Sequence, residues 1–212
     1  MSYLSERRQE ERDRRRCEIV DAAEALYAET GWDSVTMDQV ARRARLSRAL
    51  LYVYFRDKGD LHFALVERAL EELIRRIGRA RDGQPNGLEE LDAIGRAYLG
   101  FSRELPHYFD ACARFEAHQF DQGERPANER ACLATGHRVH ALIVESINRG
   151  VADGSIRADL DNPFATALAL WSFSHGLIQI AFTKSAQLER EGVSPQALVE
   201  RSFELIRRSL RR

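Results

Sequence analysis

Cysteine is scarce and poorly placed for a cross-link. Cys17, Cys112 and Cys132 are odd in number, far apart and without a Cys-x-x-Cys pair, which argues against a disulfide framework or a structural zinc site. They read as reduced thiols on helices, with no local mark of a redox role. No Gly-rich phosphate loop, no Gly-x-Ser-x-Gly and no His-Glu-x-x-His is present, so the chain reads as a non-enzyme without cofactor or metal. No stretch reaches the apolar length expected of a bilayer span, and Met1–Arg16 has no apolar run of a signal peptide. A cytoplasmic protein with no membrane partner is the expectation. The net charge of −1 excludes polyanion binding by bulk charge, so any such site must be a local patch.

Strand signals are missing too. No segment alternates apolar and polar residues with β-branched enrichment, and no βαβ rhythm appears. Helical spacing dominates instead. With 44% hydrophobic and 31% charged residues in 212, the chain can bury a core. The pattern predicts an all-α fold of about nine helices. Residues 1–13 read as a disordered charged arm, 14–60 as one domain and 61–212 as a larger helical body.

A first helix is expected over Arg14–Thr30, stopped by Gly31, with Ile19, Ala22, Ala23, Leu26 and Tyr27 on its apolar face. Thr36 is a cap candidate for Met37–Ala44, with Gln39 completing a capping box. Ser47 is a second cap, for Arg48–Phe55. Two short capped helices joined by Arg45 and Leu46 have the size of a helix-turn-helix. Met37, Val40, Ala41, Leu51 and Phe55 supply inner faces, so Arg48, Tyr52 and Val53 point outward. Between Ser34 and Lys58 lie six basic and two acidic residues, a local charge of +4 in a near-neutral chain. That is an electrostatic footprint for phosphate. Longer helices follow, over Lys58–Ala80, Leu88–Glu104, His107–Gln119, Ala127–Arg149 (closed by Gly150), Pro163–Lys184 and from Pro195 onward. Loops are expected at Gly83–Gly87 and Gly123–Pro126.

The string Gly31-Trp32-Asp33-Ser34-Val35-Thr36-Met37-Asp38-Gln39-Val40-Ala41, then Leu46-Ser47-Arg48, then Leu51-Tyr52-Val53-Tyr54-Phe55-Arg56-Asp57-Lys58-Gly59-Asp60-Leu61, closely resembles the DNA-binding domain of the TetR family of repressors. The segment Gly154–Asp161, followed by Trp171 and His175-Gly176, is similar to parts of that family's C-terminal bodies. The resemblance implies a homodimer on double-stranded operator DNA, switched by an unidentified small molecule. It implies that Thr36, Tyr54 and Lys58 meet phosphates and that Ser47 caps the recognition helix. Arg48 would then reach base edges, Ala49 would lie close to DNA, and Tyr52 and Val53 would meet bases or thymine methyls. Arg45 stands where the family usually has glycine; a left-handed arginine costs about 1 kcal/mol more, so either the turn is reshaped or Arg45 adds a phosphate contact. Leu50, often threonine in the family, cannot hydrogen-bond.

The helix Pro163–Phe182 is apolar nearly all round, which demands a second subunit on one side. Leu168, Phe173, Leu177, Ile180, Phe203 and Ile206 are the candidate dimer residues, and the resemblance implies a four-helix bundle made with the two-fold mate. Tyr98, Phe101, Phe109, Phe115, His118, Trp171 and His175 are candidates to line an apolar effector cavity. Activation rather than repression, or a helical protein-binding adaptor without operator binding, remain as alternatives.

Overall fold

The computed structural model describes residues 3–118 and 125–212. Its helices are α1 (Tyr3–Thr30), α2 (Met37–Arg43), α3 (Arg48–Tyr54), α4 (Lys58–Arg81), α5 (Gly87–Glu104), α6 (Pro106–Glu116), α7 (Ala127–Asp153), α8 (Pro163–Thr183), α9 (Ser185–Arg190) and α10 (Pro195–Leu210), with a 3-10 turn at Trp32–Ser34. Among the described residues there is no strand, only an isolated bridge between Ile156 and Arg211. The all-α expectation holds. The chain divides into two compact units, Met1–Leu70 with Pro106–Ala134, and Glu71–Leu105 with Thr135–Arg212. In this partition α6 and the start of α7 belong with the N-terminal helices.

In the first unit, α1 begins at Tyr3, so the segment expected to be a disordered arm is helical. Ion pairs one turn apart support it: Glu11 takes both Arg14 and Arg15, and Arg15 also reaches Glu18 at 2.7 Å. The expected inner faces are buried, with Ile19, Val40, Leu51 and Phe55 fully or almost fully enclosed. The helix expected over His107–Gln119 ends at Glu116; Gln119 and Gly123 lie outside the described residues. Burial pushes the Cys112 thiol up to about 12 and raises Cys132 as well, so neither is a thiolate at neutral pH.

One buried group gives the first unit a pH dependence. His62 on α4 packs its ring 4.9 Å from Trp32, and its Nε2 has no partner among the described residues. Burial, reinforced by the Arg114 charge and opposed by Asp110, lowers its pKa to about 4. The unfolded chain takes up a proton near pH 6.5, while the folded chain refuses it until about pH 4. Stability therefore falls as pH drops through that window, by about 2 kcal/mol between pH 7 and 5. Urea unfolding of wild type and His62→Phe at both pH values checks this. The variant should lose that part of the slope, and parallel slopes would refute the assignment.

In the second unit, Gly150 does not close α7; the helix runs to Asp153 and stops at Gly154, whose φ of 79° suits glycine. Gly150 is there for space. A Cβ on it would lie 2.3 Å from Ile156, which is buried against it. The start of α5 is held by three acceptors: Asn86 Oδ1 takes the Glu89 N–H at 3.0 Å, Asp153 takes that of Gly87 at 2.8 Å, and Ser155 Oγ takes that of Leu88 at 3.2 Å. The buried carboxylate of Glu90 accepts from Ser146 at 2.6 Å and pairs with Arg149 and Arg81.

By length and composition α8 is apolar enough to cross a membrane, contrary to the sequence expectation. One of its sides, carrying Ala167, Trp171, Leu177, Ile178 and Ala181, is buried within the unit. Phe164, Leu168, Phe173, Ile180 and Phe182 on its remaining surface are exposed. The short α9 carries no buried residue, which is why apolar periodicity missed it.

Candidate nucleic-acid interface and effector cavity

Thr36 caps α2 as a full capping box. Its Oγ1 accepts the Gln39 N–H at 3.3 Å, while Gln39 Oε1 accepts the Thr36 N–H at 2.8 Å. The chain then turns at Arg45, which adopts φ 57°, so the turn keeps a left-handed residue and is not reshaped. Ser47 Oγ accepts the Leu50 N–H at 3.2 Å and starts α3. With Leu51 turned inward and fully buried, helical geometry turns Arg48, Ala49, Tyr52 and Val53 to solvent. Val53 is 68% exposed, an apolar side chain facing solvent. Tyr54 is half-buried at the C-terminal end of the same helix.

The cations here are held in different ways. Arg48 reaches Asp38 at 3.2 Å and lies over the Tyr52 ring, so it is parked along the outer face. Arg43 pairs with Glu29. Arg42 and Arg45 are exposed without a carboxylate partner among the described residues. Lys58 turns inward: its ammonium donates to the Trp32 carbonyl at 2.6 Å and the Asp33 carbonyl at 3.3 Å, and sits over the Trp32 ring. Burial lowers its pKa. One of its three N–H donors is left for another acceptor.

Sequence reasoning missed the brace behind this surface. Asp110 on α6 accepts the Tyr27 hydroxyl at 2.6 Å and Arg114 Nε at 2.9 Å, and Arg114 grips Asp33 with two bonds of 2.9 Å. These residues tie α6 to α1 and to the turn before α2. Their separation along the chain left no local signal.

Of the seven aromatic and histidine candidates, Tyr98 and Trp171 line a cavity within the second unit. Phe109, Phe115 and His118 belong to the first unit, and Tyr98, Phe101, Trp171 and His175 to the second. Phe101 is fully buried core. In the second unit a cavity of about 50 Å³ is lined by Leu91, Gly95, Tyr98, Trp171 and Phe203 among others, with Asp92, Ser174 and Arg207 as its polar groups. Tyr98 stacks on Trp171 with centroids 4.6 Å apart, and its hydroxyl is 2.7 Å from His175 Nδ1. Aromatic residue type alone could not separate cavity wall from core.

The dimer candidates divide as well. Leu168, Phe173 and Ile180 are exposed, whereas Leu177 and Phe203 are buried inside the protomer. Ile206 is half-buried and lines the cavity. Helical spacing marks Leu177 and Phe203 as apolar without saying that their own chain covers them.

Comparison with known proteins agrees with this layout. The family model for bacterial regulatory proteins of the tetR family matches residues 19–65. The model for a tetracyclin repressor-like C-terminal domain matches residues 91–206. The HTH-type transcriptional regulator HbdR of Aromatoleum sp. (strain CIB) is 35% identical over 77% of this chain and 68% of its own. The HTH-type transcriptional repressor KstR2 of Mycobacterium tuberculosis is 25% identical over 69% of this chain and 72% of its own. Among solved structures, the transcriptional regulator FadR from Bacillus subtilis, in complex with stearoyl-CoA, shares the fold with a TM-score of 0.67. It is 16% identical, over 91% of this chain and 98% of that one. The chain therefore belongs to the TetR family of ligand-responsive, DNA-binding transcriptional regulators.

Proposed function

We propose that this regulator is a cytoplasmic homodimeric repressor, without catalytic activity, that holds a palindromic operator and releases it when a small molecule enters the second unit. The observation that carries the reading is the outer face of α3, where Arg48, Ala49, Tyr52 and Val53 stand exposed on a helix anchored by Leu51. Arg48 would leave Asp38 for a guanine edge, and Val53 would take a thymine methyl. Thr36, Arg45, Ser47, Tyr54 and the remaining N–H of Lys58 would serve phosphates. Two such helices about 34 Å apart read a palindrome.

The proposed effector has an apolar body and a polar or anionic end, matching an apolar cavity edged by Ser174 and Arg207. Binding of stearoyl-CoA by FadR and the repressor KstR2 among the relatives support this class and this sign of regulation. At about 50 Å³ the cavity is below the roughly 300 Å³ of ordinary ligand sites. The effector would therefore select a conformer with the Phe203 ring moved off Gly95. α4 carries residues of both units in one helix and is the proposed link.

Arg48→Ala is expected to lose about 1–3 kcal/mol of operator affinity and to relax base preference at one position of each half-site. Fluorescence anisotropy with palindromic DNA from upstream of its own gene measures this. Unchanged affinity and specificity would refute the assignment of α3. In the same assay stearoyl-CoA is the first effector probe, and operator must weaken its binding by the factor by which it weakens operator binding.

A further inference from the structure

We propose that α1 extends the DNA-binding surface beyond the helix-turn-helix. Its arginine stripe Arg8, Arg12 and Arg16, together with Arg56, would clamp duplex phosphates beside those met by Tyr54. This rests on the reading of α3 as the recognition helix.

The first unit contains a cleft of about 270 Å³ lined by Arg12 and Arg16 from α1, Tyr54 from the end of α3, and Arg56, Asp60 and Asn128. A strand whose phosphate meets Tyr54 therefore runs beside Arg12 and Arg56. Three guanidinium groups face one carboxylate there. That carboxylate, Asp60, is buried and committed, accepting the Arg56 backbone N–H at 3.0 Å and Asn128 Nδ2 at 2.9 Å. Arg16 donates to Asn128 Oδ1 at 2.8 Å, which holds the stripe against the cleft. Arg56 is turned to Asp57 at 2.9 Å.

Arg12 has no ion pair among the described residues and is exposed. Its helical neighbours at three and four positions are Arg8, Gln9, Arg15 and Arg16, none acidic. Of the nearby acids of α1, Glu11 and Glu18 hold Arg14 and Arg15, Asp13 accepts from Gln9, and Glu10 lies two residues from Arg12, on the other side of the helix. Like charges four residues apart repel on a helix, and among the described residues the stripe is held only at Arg16, by Asn128 and by Glu67 at 3.5 Å. A duplex, with one negative charge per about 1.7 Å of axis, supplies the missing counter-charge.

The test is anisotropy with a 30-base-pair duplex of mixed sequence between 50 and 200 mM salt, for wild type, Arg12→Ala, Arg12→Lys and Arg8→Ala/Arg12→Ala. Each lost phosphate contact should lower the slope of log K against log salt by about 0.9, so the affinity lost over this range shrinks by about 3.5-fold. Arg12→Lys should keep the wild-type slope. Circular dichroism melting identical to wild type shows that the fold is intact. A double variant that melts and binds like wild type, slope included, overturns the clamp while leaving α3 as the reader. Wild-type protein that binds neither this duplex nor its upstream DNA overturns the DNA reading and the clamp together.

Discussion

A single methyl group at residue 87 is expected to cost at least about 3 kcal/mol and to lower the melting temperature by roughly 6–12 °C. Gly87 opens α5 where it crosses α7. A Cβ there would lie 2.1 Å from the Gly150 nitrogen, 2.4 Å from its Cα and 2.4 Å from the Ser146 carbonyl oxygen. All three are backbone atoms, so no side chain can swing away and the helices themselves must part. Parting them pulls Gly87 and Leu88 from the Asp153 and Ser155 acceptors and leaves buried N–H groups unpaired. Gly78, in the last turn of α4, is the matched control: nothing lies within 4 Å of its Cβ position. Gly78→Ala should stabilise by about 0.5–1 kcal/mol through helix propensity alone. Melting curves for both variants decide the matter. A Gly87→Ala protein that melts within a degree of wild type would mean that α5 and α7 do not approach so closely.

The second large effect is expected at the exposed side of α8. Ile180 is 50% exposed and Phe173 45%, within an apolar strip that also carries Leu168 and Phe182. A surface apolar patch of this kind is a mark of a partner, and a second copy of the same helix is the partner proposed. Ile180→Asp leaves the protomer core untouched, yet in a dimer it buries a carboxylate without a counter-ion, a cost of several kcal/mol. Wild-type protein should sediment as a dimer at micromolar concentration. The variant should sediment as a monomer with wild-type helicity and should lose operator binding, since two half-sites need two linked readers. Leu177→Asp is a poor substitute, because Leu177 is only 8% exposed in the protomer and its loss would unfold the unit. A monomeric wild type, or an Ile180→Asp protein that remains dimeric, would refute this interface.

The sequence by itself determined what depends on neighbours a few residues away. Thr36 with Gln39, Ser47 before Arg48, Pro163 and Pro195 at helix starts, and Gly31 after Thr30 act through local hydrogen bonds and backbone limits, and the helices begin and end close to where those residues predicted. The inner and outer faces of α3 were legible for the same reason, since a period of 3.6 residues places Leu51 and Phe55 opposite Tyr52 and Val53. Ion pairing one turn apart was legible in principle in Glu11, Arg14 and Arg15, although charge density there suggested disorder and the chain is helical.

Only the tertiary structure decided which distant groups meet. Gly150 looks like a helix stop until Ile156 is seen to fill the place of its missing side chain. Leu177 and Ile180 are equally apolar in sequence, but one is buried by its own chain and the other faces out. Phe101 and Trp171 are both aromatic on helices, yet only Trp171 lines the cavity. Arg12 reads as one charge among many until the fold brings it beside Tyr54. In each case residue type and periodicity fix how a side chain leaves its own helix, whereas the atoms it meets come from segments whose approach is set by the packing of the whole unit.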